Sequence, residues 1–97
     1  MSLFAVSYRY LPDTEAGRTE HRPAHLEFLQ TLFDEGRLVV SGPTESDEPG
    51  ALLIIRGESV DAVDDLMAGD PFAAHGFVDR AVRGWSPKFG AERLAAG

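Results

Sequence analysis

The 97-residue sequence contains no cysteine, which removes disulfides, thiolate catalysis and cysteine-held zinc together and leaves the redox compartment unread. Cations are also scarce. Nine Lys and Arg stand against sixteen Asp and Glu, for a formal net charge of −7. A chain that gripped phosphates would need clustered cations, so nucleic acid is not an expected partner, and an anionic membrane surface would repel it. No stretch approaches the ~18 apolar residues of a membrane span. The opening MSLFAVSYRY has no cationic leader ahead of an apolar run, and a cytoplasmic protein is expected. A Gly-rich phosphate loop, a nucleotide fingerprint and a cluster of three metal ligands are all missing from the pattern, so no cofactor and no metal are expected, and any chemistry should be protonic.

What is present is an ordinary globular composition, with 43% hydrophobic residues. The length predicts one domain over residues 1–97, with residues from about 90 onward, GAERLAAG, as an exposed tail. So short a chain buries only roughly 60 to 65% of its unfolded surface, and a second copy of the chain is a natural supplement to its thin core. A homodimer is therefore expected.

The first ten residues alternate, with Phe4, Val6, Tyr8 and Tyr10 on one side and Leu3, Ala5, Ser7 and Arg9 on the other, which is the period of a strand. LPDTEAG, residues 11–17, mixes proline, aspartate and glycine as a loop does. A helix then opens at Thr19 or Glu20, runs to Glu35 and stops at Gly36. RLVVSGP and ALLIIRG read as a hairpin joined by TESDEPG. SVDAVDDLMAG begins at a capping Ser59, places Val60, Val63, Leu66 and Met67 on one stripe and ends at Gly69, as a second helix would. DPF starts a short helical turn, and FVDRAVRGWSPKF is the last strand. The order β-α-β-β-α-β is that of the ferredoxin-like α+β fold with an antiparallel sheet. Glu58, Asp61, Asp64 and Asp65 lie opposite the apolar stripe of the second helix and read as a solvated face rather than a metal site.

The first helix carries an anomaly. On a wheel of about 100° per residue, Leu26, Phe28, Leu29, Leu32 and Phe33 form one arc, and Arg22 and His25 fall inside it. Both are expected to point toward the sheet and, three residues apart, to border one small volume. A buried guanidinium without a partner is prohibitive, so this end of the helix should adjoin a carboxylate or a wet pocket. The plainer reading makes His25 a hydrogen-bonded core histidine and Arg22 a side chain that snorkels to a structural partner. Asp70 is a candidate partner with two readings of its own: a cap for the short helix begun by Pro71, or the acceptor of the His25 Nδ1 proton. His21, at the helix entry, and His75, between two alanines and a glycine, are weaker candidates.

RPAHLEFL, then EGRLVVSGP about a dozen residues on, then DPF ahead of a last strand carrying Trp85, resemble the YciI-like (YCII-related) family over residues 1 to about 89. The resemblance implies a ferredoxin-like fold that associates through its sheets, as a dimeric α/β barrel. It also implies a His and Asp pair as the catalytic dyad, falling on His25 and Asp70, with Arg22, Ser41, Gly42 and Pro43 beside them. Phe72, from the same DPF segment, completes the substrate-binding candidates. Two departures stand out: the TESDEPG connection is compact, and the GAERLAAG tail has no counterpart in the family pattern.

A carboxylate-held His can abstract a proton and an adjacent Arg can stabilise the resulting oxyanion. The expected reaction is an elimination, lyase or isomerisation step on a small anionic or phenolic substrate, and an elimination is also the activity best supported in the family. Two other classes fit the same residues: a non-catalytic small-ligand binding module, and a cofactor-independent monooxygenase. Ser41, ahead of Gly-Pro, reads as a turn residue and not as a nucleophile.

Overall fold

A computed structural model describes residues 1–95. The elements run β1 (Ser2–Tyr10), α1 (Glu15–Asp34), β2 (Leu38–Thr44), β3 (Gly50–Gly57), α2 (Val60–Met67), α3 (Pro71–Ala74), β4 (Val78–Trp85) and α4 (Ala91–Ala95). The four strands form one sheet in the order β2-β3-β1-β4, antiparallel at every pairing. This is the ferredoxin-like α+β architecture expected from the order of elements.

The alternation of β1 decides which face is covered. Phe4, Val6 and Tyr8 are buried beneath the helices, and their neighbours Ile55 and Leu53 on β3 share that side by register. Leu32 of α1, Val63 and Met67 of α2, and Phe72 of α3 close the core from above. Leu3, Ala5 and Ser7 take the opposite face, where Val40, Leu52 and Trp85 remain 40% or more exposed. Ser59 caps α2 as expected, accepting from the Ala62 N–H.

Three expectations are corrected. The LPDTEAG segment is loop only as far as Thr14, and α1 begins at Glu15 instead of Thr19 or Glu20. The misleading residue is Gly17, which is not a turn glycine: a Cβ there would come within 2.6 Å of the Phe77 ring, so the helix needs glycine for close approach. The earlier start leaves Pro23 inside α1, where it cannot donate to the carbonyl one turn back. The last strand stops at Trp85 instead of running on through SPKF, where Pro87 cannot donate to a ladder; beyond it residues 91–95 form α4 and Arg56 Nη2 donates to the Leu94 carbonyl at 2.7 Å, and residues 96 and 97 lie outside the described residues. Finally, the buried flank of α1 is narrower than the apolar arc. His25 and Leu32 are buried, Phe28 and Leu29 partly so, whereas Leu26 and Phe33 are more than half exposed and Arg22 is exposed.

Candidate functional site

The site begins with a bulge. Leu38 of β2 pairs with Ile55, but Val40 pairs with Ile54, so one residue is inserted between them and the alternation changes phase. Ser41 and Pro43, opposite Leu53 and Ala51, are thereby placed on the helix-covered side. With Tyr8 and Tyr10 of β1, and Arg22, His25, Leu26 and Leu29 of α1, they line a cleft of about 460 Å³, closed at one end by Phe72. The narrow buried flank of α1 has its reason here: Leu26 and Arg22 border the cleft instead of the core.

Asp70 sits at the inner end with no exposed surface. Three donors converge on it. His25 Nδ1 lies 2.8 Å from Oδ1 and 3.0 Å from Oδ2. The Tyr8 hydroxyl donates to Oδ2 at 2.7 Å, and the Phe72 N–H donates to Oδ1 at 3.0 Å. The two readings of Asp70 are therefore both met, since one carboxylate caps α3 and accepts from His25. Because a carboxylate only accepts, neutral His25 is the Nδ1–H tautomer and its Nε2 carries the lone pair. The imidazole lies flat on the Phe72 ring, with centroids 3.9 Å apart and an interplanar angle of 1°. Among the described residues, Nε2 has no hydrogen bond and no buried side-chain nitrogen or oxygen lacks a partner, so Nε2 opens onto the cleft.

Tyr8 is the residue that sequence reasoning missed. Burial, followed by the adjacent Asp70 charge, pushes its phenol well above the ordinary tyrosine range, so it remains a neutral donor. The only signal was its place in the β1 alternation, and that marks it as core.

Arg22 stands at the rim. Among the described residues it makes no ion pair; of the two surroundings expected for it, a carboxylate or a wet pocket, it stands exposed beside the open cleft. Ser41 and Gly42 are exposed along the cleft wall, and Pro43 beside them. His21 and His75 stack on each other at 4.0 Å, His75 also stacks on Phe77 while His21 meets that ring at a tilt, and neither lines the cleft. A roomier hollow of about 640 Å³ lies between the β1–α1 and β2–β3 connections, where Arg18 sits 4.2 Å above the Tyr10 ring. It contains no histidine to pair with its carboxylates, and the acid–base geometry belongs to the smaller cleft. Among the described residues no group of three or more His, Asp or Glu could hold a metal, and Asp64 is engaged by Arg80 at 2.8 Å. No helix among them is long and apolar enough to cross a membrane.

Fold and cleft together define a small ferredoxin-like protein with a carboxylate-held histidine facing an aromatic-lined hollow. The chain belongs to the YCII-related domain family, whose model matches residues 2–86. It is 36% identical to Protein YciI of Escherichia coli O6:H1 over 83 residues, covering 76% of this chain and 85% of that protein. Among solved structures it resembles the 5-chloro-2-hydroxyhydroquinone dehydrochlorinase TftG of Burkholderia phenoliruptrix AC1100, in complex with 2,5-dihydroxybenzoquinone: TM-score 0.75 and 28% identity, over 89% of this chain and 95% of that one. Muconolactone isomerase shares the fold, with a TM-score of 0.68 at 23% identity over 90% and 91% of the two chains.

Proposed function

We propose that this chain is a cofactor-free acid–base enzyme that performs an elimination or isomerisation on a small phenolic or anionic ring, with His25 as the proton acceptor. The observation that carries the reading is the His25 Nε2 lone pair, open to a cleft walled by Tyr10, Leu26, Leu29 and Phe72, while Nδ1 is anchored on a fully buried Asp70. Apolar walls exclude water from a ring of substrate size, and a carboxylate behind the imidazole supports the imidazolium that forms. Among the described residues Arg22, at the rim, is the one Arg or Lys lining the cleft and can receive a phenolate or carboxylate, and the Ser41 hydroxyl lies along the wall.

The chemistry balances without an oxidant. A ring hydroxyl gives its proton to Nε2, which returns it to the carbon bearing the leaving group and so makes the neutral keto tautomer; the hydroxyl para to the new carbonyl then gives its proton to Nε2 as the leaving group departs with the bonding pair, and a quinone remains. The net loss is HX. The likeness to a dehydrochlorinase supports this class of reaction.

The test is chloride release from 5-chloro-2-hydroxyhydroquinone, with 2,5-dihydroxybenzoquinone as a titrated ligand. The unaltered protein should release chloride, and His25→Gln should lose at least about 100-fold in kcat while binding the quinone within a few-fold. Binding without turnover in the unaltered protein would leave a small-ligand module, and oxygen consumption with substrate would favour a monooxygenase.

A homodimer belongs to the same proposal. The outer face of the sheet presents Val40, Leu52 and Trp85 to solvent, and a second copy laid on it would remove that surface from water. Sedimentation at micromolar concentration should show a dimer, and a monomer alone would contradict it.

A further inference from the structure

His25 and Tyr8 do not bind Asp70 independently. Oδ2 accepts from the Tyr8 hydroxyl at 2.7 Å and lies 3.0 Å from His25 Nδ1, so the two donors draw on the same oxygen. Asp70 has no exposed surface, and Tyr8 is 4% exposed. Water cannot take up the slack when one donor weakens, and in so dry a place the hydrogen bonds polarise one another. The phenol also cannot escape by ionising, because its burial beside the carboxylate holds it neutral.

We propose that Tyr8 is a positioning residue for His25: through their shared carboxylate, the Tyr8 phenol sets how strongly the His25 Nδ1–H bond is polarised, and so how strong a base Nε2 presents to the cleft. Its functional consequence rests on the reading of His25 as proton acceptor; the coupling itself is a property of the three side chains. The arrangement has a direction. A phenol that donates strongly withdraws carboxylate charge from His25, and one that is absent returns all of it. Other ionisable groups near the trio are fewer and farther engaged. Arg80 approaches from β4 but is held by Asp64 of α2, Tyr10 stands beside Tyr8 on β1, and Arg22 faces the same cleft from α1.

A merely space-filling Tyr8 makes a different statement. It would satisfy its own hydroxyl on Asp70 and leave the electronic state of His25 untouched. The two accounts separate in the ligand-free protein by NMR of the His25 Nδ1–H proton in a nitrogen-15-labelled sample. Tyr8→Phe should move that resonance downfield, as the freed carboxylate strengthens its bond to His25. Placing 3-fluorotyrosine at position 8 by codon suppression gives a more acidic phenol in the same shape, and should move it upfield. The fluorinated protein keeps every contact, so the proposal stays testable if Tyr8→Phe folds poorly. An Nδ1–H resonance unmoved by the fluorinated residue, or displaced downfield by it, overturns the proposal. If the resonance moves as expected but His25→Gln retains full turnover on the chlorinated hydroquinone, the coupling stands and the acid–base reading falls instead.

Discussion

The helices α1 and α2 cover the same face of one sheet, yet they follow different rules. In α2 the division is cleaner: Val63 and Met67 are fully buried, Asp61 and Asp65 face solvent, Ser59 caps the first turn, and of the apolar stripe only Val60 at its start is left exposed. In α1 the two buried residues are Leu32 and a histidine, while Leu26 and Phe33 are left more than half exposed. A helix that serves only packing puts every apolar side chain on one flank and every charge on the other. Two of the departures in α1 follow the cleft, whereas Phe33 lies outside its lining. His25 is buried because Asp70 accepts its proton, and Leu26 is exposed because it walls a hollow. Where the pattern of α1 breaks at His25 and Leu26 it marks the site, and the more regular pattern of α2 marks the scaffold.

The sharpest way to break this contrast is to remove the acceptor. Asp70→Ala leaves the Tyr8 hydroxyl, the His25 Nδ1–H and the Phe72 N–H without their common partner. With about 1–3 kcal/mol for each buried donor left unsatisfied, and part of that recovered by relaxation, a stability loss of roughly 3–6 kcal/mol is expected by urea denaturation. A loss under about 1 kcal/mol would mean that water reaches the site freely. Asp70→Asn should cost far less, because the amide oxygen in the Oδ1 position still accepts from the Phe72 N–H and the NH₂ group in the Oδ2 position can donate to the Tyr8 oxygen. Its NH₂ group facing His25 would force the Nε2–H tautomer and remove the lone pair from the cleft. Turnover should then fall by on the order of 10³-fold or more.

The same contrast is probed from the α2 side by Met67→Ala. Met67 is fully buried, and its loss should cost about 2–4 kcal/mol with no change in quinone binding beyond a few-fold. Binding lost in proportion to stability would deny that packing and site are separable in this fold.

A third effect depends on pH. The Tyr8 phenol is raised above its ordinary value by burial and by Asp70, so above about pH 10 the unfolded chain releases a tyrosine proton that the native protein keeps. The native state then binds more protons, and stability falls with rising pH. This contribution is fully present below about pH 10 and declines by up to about 1.4 kcal/mol per pH unit above it. Tyr8→Phe should remove that part of the alkaline slope. Denaturation curves from pH 9 to 11 that are parallel in the two proteins would show that Tyr8 ionises in place.

Much of this was legible in the sequence, for physical reasons. The period of two in β1, the stripe in α2 apart from its exposed Val60, and the Ser59 cap are local signals, and each was met. The His25–Asp70 contact joins residues 45 apart, and only the family pattern brought them together. The β2 bulge was illegible, because a single inserted residue alters no periodicity that a seven-residue strand can display. Tyr8 was hidden for the opposite reason: its position in an alternating strand is fully explained by burial, which leaves nothing over to announce a hydrogen bond. Gly17 misled because a glycine that permits contact and a glycine that permits a turn look alike until the Phe77 ring is in place.

Arg22 gives the smallest effect on stability and the most direct measure of the difference between site and scaffold. On the helical wheel it falls among apolar residues, which implied either a carboxylate or a wet pocket beside it; in the structure it is exposed at the rim of the cleft with no ion pair among the described residues. Arg22→Met keeps the long stem beside Leu26 and removes only the charge. An exposed guanidinium without a partner contributes little to folding, so stability should stay within about 0.5 kcal/mol. Binding should respond differently. An anionic ring in the cleft loses the guanidinium at its rim, and 2,5-dihydroxybenzoquinone should bind about tenfold more weakly, a difference of about 1.4 kcal/mol, with the loss shrinking as salt is raised. A neutral catechol used as the control should bind equally well to both proteins. Equal quinone affinity in the two proteins would take Arg22 out of the site and leave substrate charge to be met elsewhere. A variant that unfolds would restore the carboxylate-partner reading that the exposed rim position contradicts.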